Sequence, residues 1–162
     1  MPVPIPISDL RHNISEIFTA VVHAHSPVLV QRGGRDLGML IGLEELERLL
    51  SVYSFHPEVL LGDDHVSIWL PEFALYGRGS SYEEAQRDLV EETRDYVEDF
   101  FADADDYLHA PNRRDHLPHV VRVAVADLRG ALAEVLFAAP KEPGDEPAPA
   151  PQEHPFAPAP SP

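Results

Sequence analysis

The sequence predicts an α+β fold of two small units and an extended tail, and three observations carry that prediction. Two apolar runs flank the "RGGR" turn between amphipathic helical patterns, a second strand-and-hairpin signal leads into a long capped helix, and the final stretch turns abruptly to proline, alanine and acid. The expected boundaries are residues 1–55 for the first unit, 56–64 for a linker, 65–139 for the second unit and 140–162 for a disordered tail.

In the first unit, Ile5 to Ile7 is a short extended start. Ser8 is placed to cap one helix whose apolar positions Leu10, Ile14, Ile17, Phe18, Val21 and Val22 follow helical spacing. Ser26 and Pro27 end that helix. "VLVQ" and "LGMLI" then read as antiparallel strands joined by the glycine-containing turn, and Leu43, Leu46, Leu49 and Leu50 mark a short second helix. "HPEVLLGDD" reads as the linker because Pro57, Gly62 and two aspartates interrupt any pattern.

The second unit opens with "HVSIWL", where Val66, Ile68 and Leu70 alternate onto one face, and "ALYGR" is its expected hairpin partner. Ser81 and Glu84 have the spacing of a capping box for a helix with Ala85, Leu89, Thr93, Tyr96 and Phe100 on one face. Beyond a polar loop, "HVVRVAV" reads as a further strand, and Asp127 as the cap of a last helix through Leu128, Leu132, Val135 and Leu136.

The chain has 162 residues, 44% of them hydrophobic, which suits a folded protein rather than one disordered throughout. It contains no cysteine, which excludes disulfides, thiolate metal sites and cysteine nucleophiles, and suits a cytoplasmic setting. The opening residues lack the features of a secretory signal, and no window is long and apolar enough for a membrane span. The formal net charge is -16, with seventeen Asp and Glu against seven Arg in residues 61–139. Such a surface repels nucleic acid at long range and attracts basic proteins, so a nucleic-acid contact has to come from local arginines in the first third.

Arg11, Arg32 and Arg35 are the candidates for that contact. Arg11 falls in the first turn of the expected helix, where a cation opposes the macrodipole, and Arg32 and Arg35 flank a turn whose N–H groups can assist in holding phosphate. The alternative for the pair is that of ordinary solvated residues at a hairpin tip.

From Ile7 to Leu50 the chain resembles the amino-terminal module of Phd/YefM antitoxins. The likeness lies in the entry strand, a helix carrying Arg11 and Asn13, the apolar "PVLV", the Arg–Gly turn, the return strand and the Leu-Glu-Glu helix. It implies a module that dimerises into a shared core and binds operator DNA, with Arg11, Asn13, Arg32 and Arg35 in the contact. Gly42 departs from the usual serine cap, and the net negative charge of the first unit departs from what DNA binding favours. Dimerisation also follows from size, since about sixty residues with two short helices bury little surface alone.

"HVSIWLPEFALYGRGSSYEEAQRDLVEETRDYV" resembles the HicB antitoxin pattern through Leu70, Pro71, Gly79, Ser80, Ser81, Glu83, Glu84 and Ala85. The glycine usual after Leu-Pro is missing, and the first strand has no evident earlier partner. This resemblance implies a truncated ribonuclease-H-like sheet used for protein binding, without nuclease activity.

Together these resemblances imply an antitoxin that represses its own operon as a homodimer or higher oligomer and neutralises a basic toxin, which would meet Asp88, Glu91, Glu92 and Asp95 on the acidic helix and Leu132, Val135 and Leu136 on the last one; the alternatives for these residues are a solvated charged face and a helix packed on its own sheet. A stand-alone dimeric regulator with no toxin is the alternative. No catalytic residue, cofactor, metal or membrane partner is assigned. His23 and His25, two apart, point to different sides, and Asp115, His116 and His119 read as polar loop residues.

Overall fold

A computed structural model describes residues 3–138, so the tail expected over 140–162 lies outside the described residues. Over the described residues the chain is α+β, with two separate three-stranded sheets in the orders β1-β2-β3 and β4-β5-β6. In the first sheet β1 (Ile5–Pro6) pairs parallel with β2 (Val28–Arg32), and β2 pairs antiparallel with β3 (Asp36–Leu40). Gly33 and Gly34 both take positive φ, 58° and 71°, as the tight turn of a right-twisted hairpin requires.

The helix expected from Ser8 onward is two helices, α1 (Ile7–His12) and α2 (Ile14–His23). Asn13 divides them at φ -121°, its N–H and side-chain amide both bonding the Asp9 carbonyl while its own carbonyl receives the Ile17 N–H. Asparagine competes for local backbone partners in this way, and here that competition wins over apolar periodicity. Pro6, not Ser8, occupies the N-cap position, and the Ser8 hydroxyl donates to Asp9. Arg11 accordingly sits in the last turn of α1, where its charge favours the helix dipole. The inference drawn from its opposing the dipole is thereby corrected.

After α3 (Leu43–Leu50), the segment expected as linker contains a strand, β4 (Glu58–Leu61), paired antiparallel with β5 (Val66–Leu70). It supplies the earlier partner that β5 lacked in the sequence reading. A run of only four residues with no alternation between polar and apolar carries no strand signal of its own.

β6 (Leu75–Gly79) closes the hairpin with β5, and α4 (Tyr82–Ala102) lies across it. Ser81 Oγ accepts from the Glu84 N–H at 3.2 Å, and Glu84 Oε2 accepts from both the Ser80 N–H and hydroxyl, which caps the helix and holds the Glu84 carboxyl below its ordinary pKa. A side chain at Gly77 would collide with the Ala85 carbonyl and Leu89, and one at Gly79 with Glu84 and the Ala85 nitrogen. These two glycines let the helix backbone rest directly on the strand.

The expected strand at "HVVRVAV" is helical: α6 runs Leu117–Leu128, with Pro118 in its first turn. Val120, Val123 and Ala126 are buried at helical spacing against α4 and the first unit's α3. β-branched residues favour strands only where a sheet edge receives them, and packing on α4 overrides that preference here. Asp127 lies inside α6 rather than capping a new helix. Past Gly130 the Ala131 N–H bonds back to the Ala126 carbonyl, and α7 (Leu132–Leu136) follows. Between α4 and α6 sit the short α5 (Ala104–His109) and a 3₁₀ turn (Arg114–His116).

One core gathers Ile68, Leu70, Leu89, Phe100, Val123 and Leu136, and it also takes in Phe55 from the end of the first unit. Around that join the Arg122 guanidinium donates to the Tyr53 carbonyl and lies over the Phe55 ring, and Arg129 pairs with Glu47 at 3.1 Å.

Candidate functional site

Parallel pairing of β1 with β2 sets Pro6 beside Gln31, so the chain enters α1 next to the Arg32 end of the hairpin. The sheet topology therefore brings the start of the Arg11 helix and the hairpin tip to the same end of the first unit. Arg11, Asn13, Arg32 and Arg35 are all exposed. They are not equivalent. Arg32 donates from Nε and Nη2 to Asp36 Oδ2, at 2.9 and 2.6 Å, across the turn that its own sequence neighbours form. Asn13 spends its amide donor on Asp9. Arg35 stands on the turn itself, its N–H bonding the Arg32 carbonyl.

The first unit buries little. Val21 and Leu50 are covered, while Phe18 is 61% exposed, Leu37 68% and Leu49 63%, and Ile14, Met39 and Leu43 are also open. Phe18, Val22, Leu40 and Leu43 line a groove of about 470 Å³ that extends to Leu128 and Arg129 of α6. For so short a unit this is a large unsatisfied apolar surface.

On the second unit the acidic residues expected to meet a partner divide. Glu91, Glu92 and Asp95 are exposed on α4, whereas Asp88 accepts the Arg78 N–H at 2.7 Å and ties β6 to α4. Leu132 and Leu136, expected as partner contacts, are 2% and 0% exposed and belong to the core; Val135 packs against it half-buried. That expectation is corrected: a helix of five residues has one apolar face, and the core takes it. The outward residues of α7 are instead Ala133 and Glu134, and with the half-buried Phe137 just after it and Val90, Glu91 and Arg94 of α4 they line a groove of about 530 Å³. Spacing from the buried pair could have found them, since Glu134 and Ala133 lie off the Leu132–Leu136 line. Nearby, Asp127 accepts from Arg94 Nε at 2.8 Å.

The histidines of the polar loop serve the core. His116 Nδ1 lies 2.6 Å from the Tyr96 hydroxyl, and His119 Nε2 lies 3.1 Å from the Ser54 carbonyl with its ring edge-on to Tyr53 and Phe55. Burial lowers the pKa of both imidazoles, with Arg113 adding to the effect at His116. Asp115 is exposed beside Arg114, so the three do not converge. His25, set at φ 50°, is instead brought to the start of α3, where its ligand atoms and those of Glu44 and Glu45 lie within 4.8 Å of one another.

A family model described as PHD-like, antitoxin of toxin–antitoxin, RelE/RelB, TA system, matches residues 1–137. The chain belongs to this antitoxin family. The residues matched to PHD-like antitoxins span both sheets. Among solved structures, this PHD-like antitoxin is similar to the crystal structure of an antitoxin part of a proposed toxin/antitoxin system from Syntrophomonas wolfei subsp. wolfei. The two share 25% identity at a TM-score of 0.72, over 82% of this chain and 95% of that one. No curated protein matches the sequence. Among the described residues, no helix of the antitoxin is long and apolar enough to cross a membrane.

Proposed function

We propose that this antitoxin acts in the cytoplasm as a homodimer, representing a Phd/YefM-like module fused to a HicB-like one, that neutralises a basic toxin by direct binding and represses its own operon without enzymatic activity. The observation that carries the reading is the open apolar surface of the first unit, Phe18, Leu37, Met39 and Leu49 above all, which a second copy would cover. Twofold pairing doubles the arginine end and matches it to two operator half-sites, which offsets the repulsion of an anionic envelope. Arg11 and Arg35 then contact phosphate, Arg32 joins them when it leaves Asp36, and Asn13 positions the turn between the helices. The toxin is held by Glu91, Glu92 and Asp95, whose field raises the association rate with a cationic partner, and by the groove along Glu134 and Phe137.

The test combines sedimentation of the full chain with binding to its own promoter fragment and to the product of an adjacent reading frame. A chain that stays monomeric at micromolar concentration overturns the dimer and, with it, the operator reading. Failure to co-purify with any neighbouring gene product overturns the toxin reading.

A further inference from the structure

Among the described residues β4 bonds to β5 alone and leaves its other edge free, and Val59, Leu60 and Leu61 are 48%, 47% and 81% exposed. The Gly62 N–H donates to the His65 carbonyl in continuation of the β4–β5 ladder. Because bonded and non-bonded positions alternate in antiparallel pairs, Glu58 and Leu60 also turn their backbone groups to β5, and Val59 and Leu61 turn theirs outward. Open edges are commonly blunted by charge, proline or a bulge. Here the outward pair is apolar, in a chain of net charge -16.

A second copy fits this edge without setting like charges against each other. Val59 opposes Ile68 and Leu61 opposes Val66, so both lie on the core side of the sheet. A twofold-related β4 keeps its core side aligned when the axis passes through Leu60. Val59 then faces Leu61 of the second copy, Leu60 faces itself, and the one acid of the strand, Glu58, faces Gly62. In the flanks Asp63 meets Pro57 and Asp64 meets His56. The outward N–H and C=O groups of Val59 and Leu61 satisfy one another, and the Leu60 pair falls at the narrow non-bonded position, where side chains approach most closely.

We propose that β4 is a self-association edge, joining two copies antiparallel across Leu60 so that their three-stranded sheets form one continuous sheet. This contact rests on different residues from the dimer proposed above and is compatible with it, the two together generating assemblies larger than a dimer.

The chain has no cysteine, so single-cysteine variants of the full chain report the register directly. Under mild oxidation Leu60→Cys should form a disulfide-linked dimer about tenfold faster than Leu61→Cys, whose two copies lie too far apart for a bond. Both positions are exposed, so folding is preserved in either variant. Leu60→Lys, which opposes two cations at the axis, should lower the sedimenting assembly by one doubling. Equal cross-linking of the two cysteine variants, or none with Leu60→Cys, overturns the proposal. So does cross-linking to a different protein when the chain is purified with its operon neighbours.

Discussion

Arg32 closes on Asp36 across the hairpin turn, both donors on one side of its guanidinium meeting a single carboxylate oxygen. The pair is well exposed and therefore weak, so a phosphate can compete for the arginine, but Asp36 also places a negative charge at the tip. Arg32 and Arg35 consequently contribute unequally to any anion contact.

Replacing both arginines, Arg32→Ala with Arg35→Ala, should abolish operator binding while leaving dimerisation and toxin binding intact. Asp36→Ala should tighten operator binding, because it frees Arg32 and removes a repelling charge. Arg35→Ala alone should weaken it more than Arg32→Ala alone, each lost phosphate contact lowering the salt slope by about 1. Fluorescence anisotropy across a salt series measures all four, and unchanged affinity in the double variant refutes the assignment.

Gly77→Ala should destabilise the fold by about 1–3 kcal/mol, since its Cβ meets the Ala85 carbonyl and Leu89 and α4 must lift from β6. Gly38→Ala is the control, because open space surrounds that position. Urea midpoints with unchanged slopes should separate the two variants.

Leu132→Ala or Leu136→Ala should cost about 2–5 kcal/mol of stability, as expected for side chains wholly inside the core. Toxin affinity should change only as far as folding does. By contrast Glu91→Lys with Asp95→Lys should leave the urea midpoint nearly fixed and slow association with a basic partner, most at low salt. Stopped-flow mixing distinguishes the two classes.

His116 and His119 make stability depend on pH. Burial lowers both pKa values in the folded chain below the ordinary 6.5, so the unfolded chain binds more protons as the pH falls through that value. Their contribution is thus fully present above about pH 6.5 and is lost on acidification towards the folded values. Denaturation curves of His119→Gln between neutral and mildly acid pH should show a shallower decline than wild type, and an unchanged slope counts against the argument.

Much of the architecture was legible because local chemistry and burial agree in those places. "RGGR" supplies two positive-φ positions between apolar runs, and it forms the hairpin. Ser81 caps the Glu84 N–H as their spacing spells, although the Glu84 carboxylate turns to Ser80 instead of back to Ser81, and Ala85, Leu89, Thr93 and Phe100 are buried along α4 as their spacing requires. Where residues are apolar on every side or on none, sequence periodicity does not discriminate. "HVVRVAV" is such a run, and it became a helix. "EVLL" is another, and it became the strand β4.

The sequence by itself determined the turn, the long capped helix, the acidic character of the second unit and the resemblance to antitoxins, since each depends on residues near one another in the chain. Only the tertiary structure decided that Arg129 pairs with Glu47, that Leu132 and Leu136 are withheld from any partner, and that Phe55 joins the second unit's core. Those outcomes depend on which surface meets which, and burial against a distant element is settled by the packing of the whole chain rather than by any local pattern.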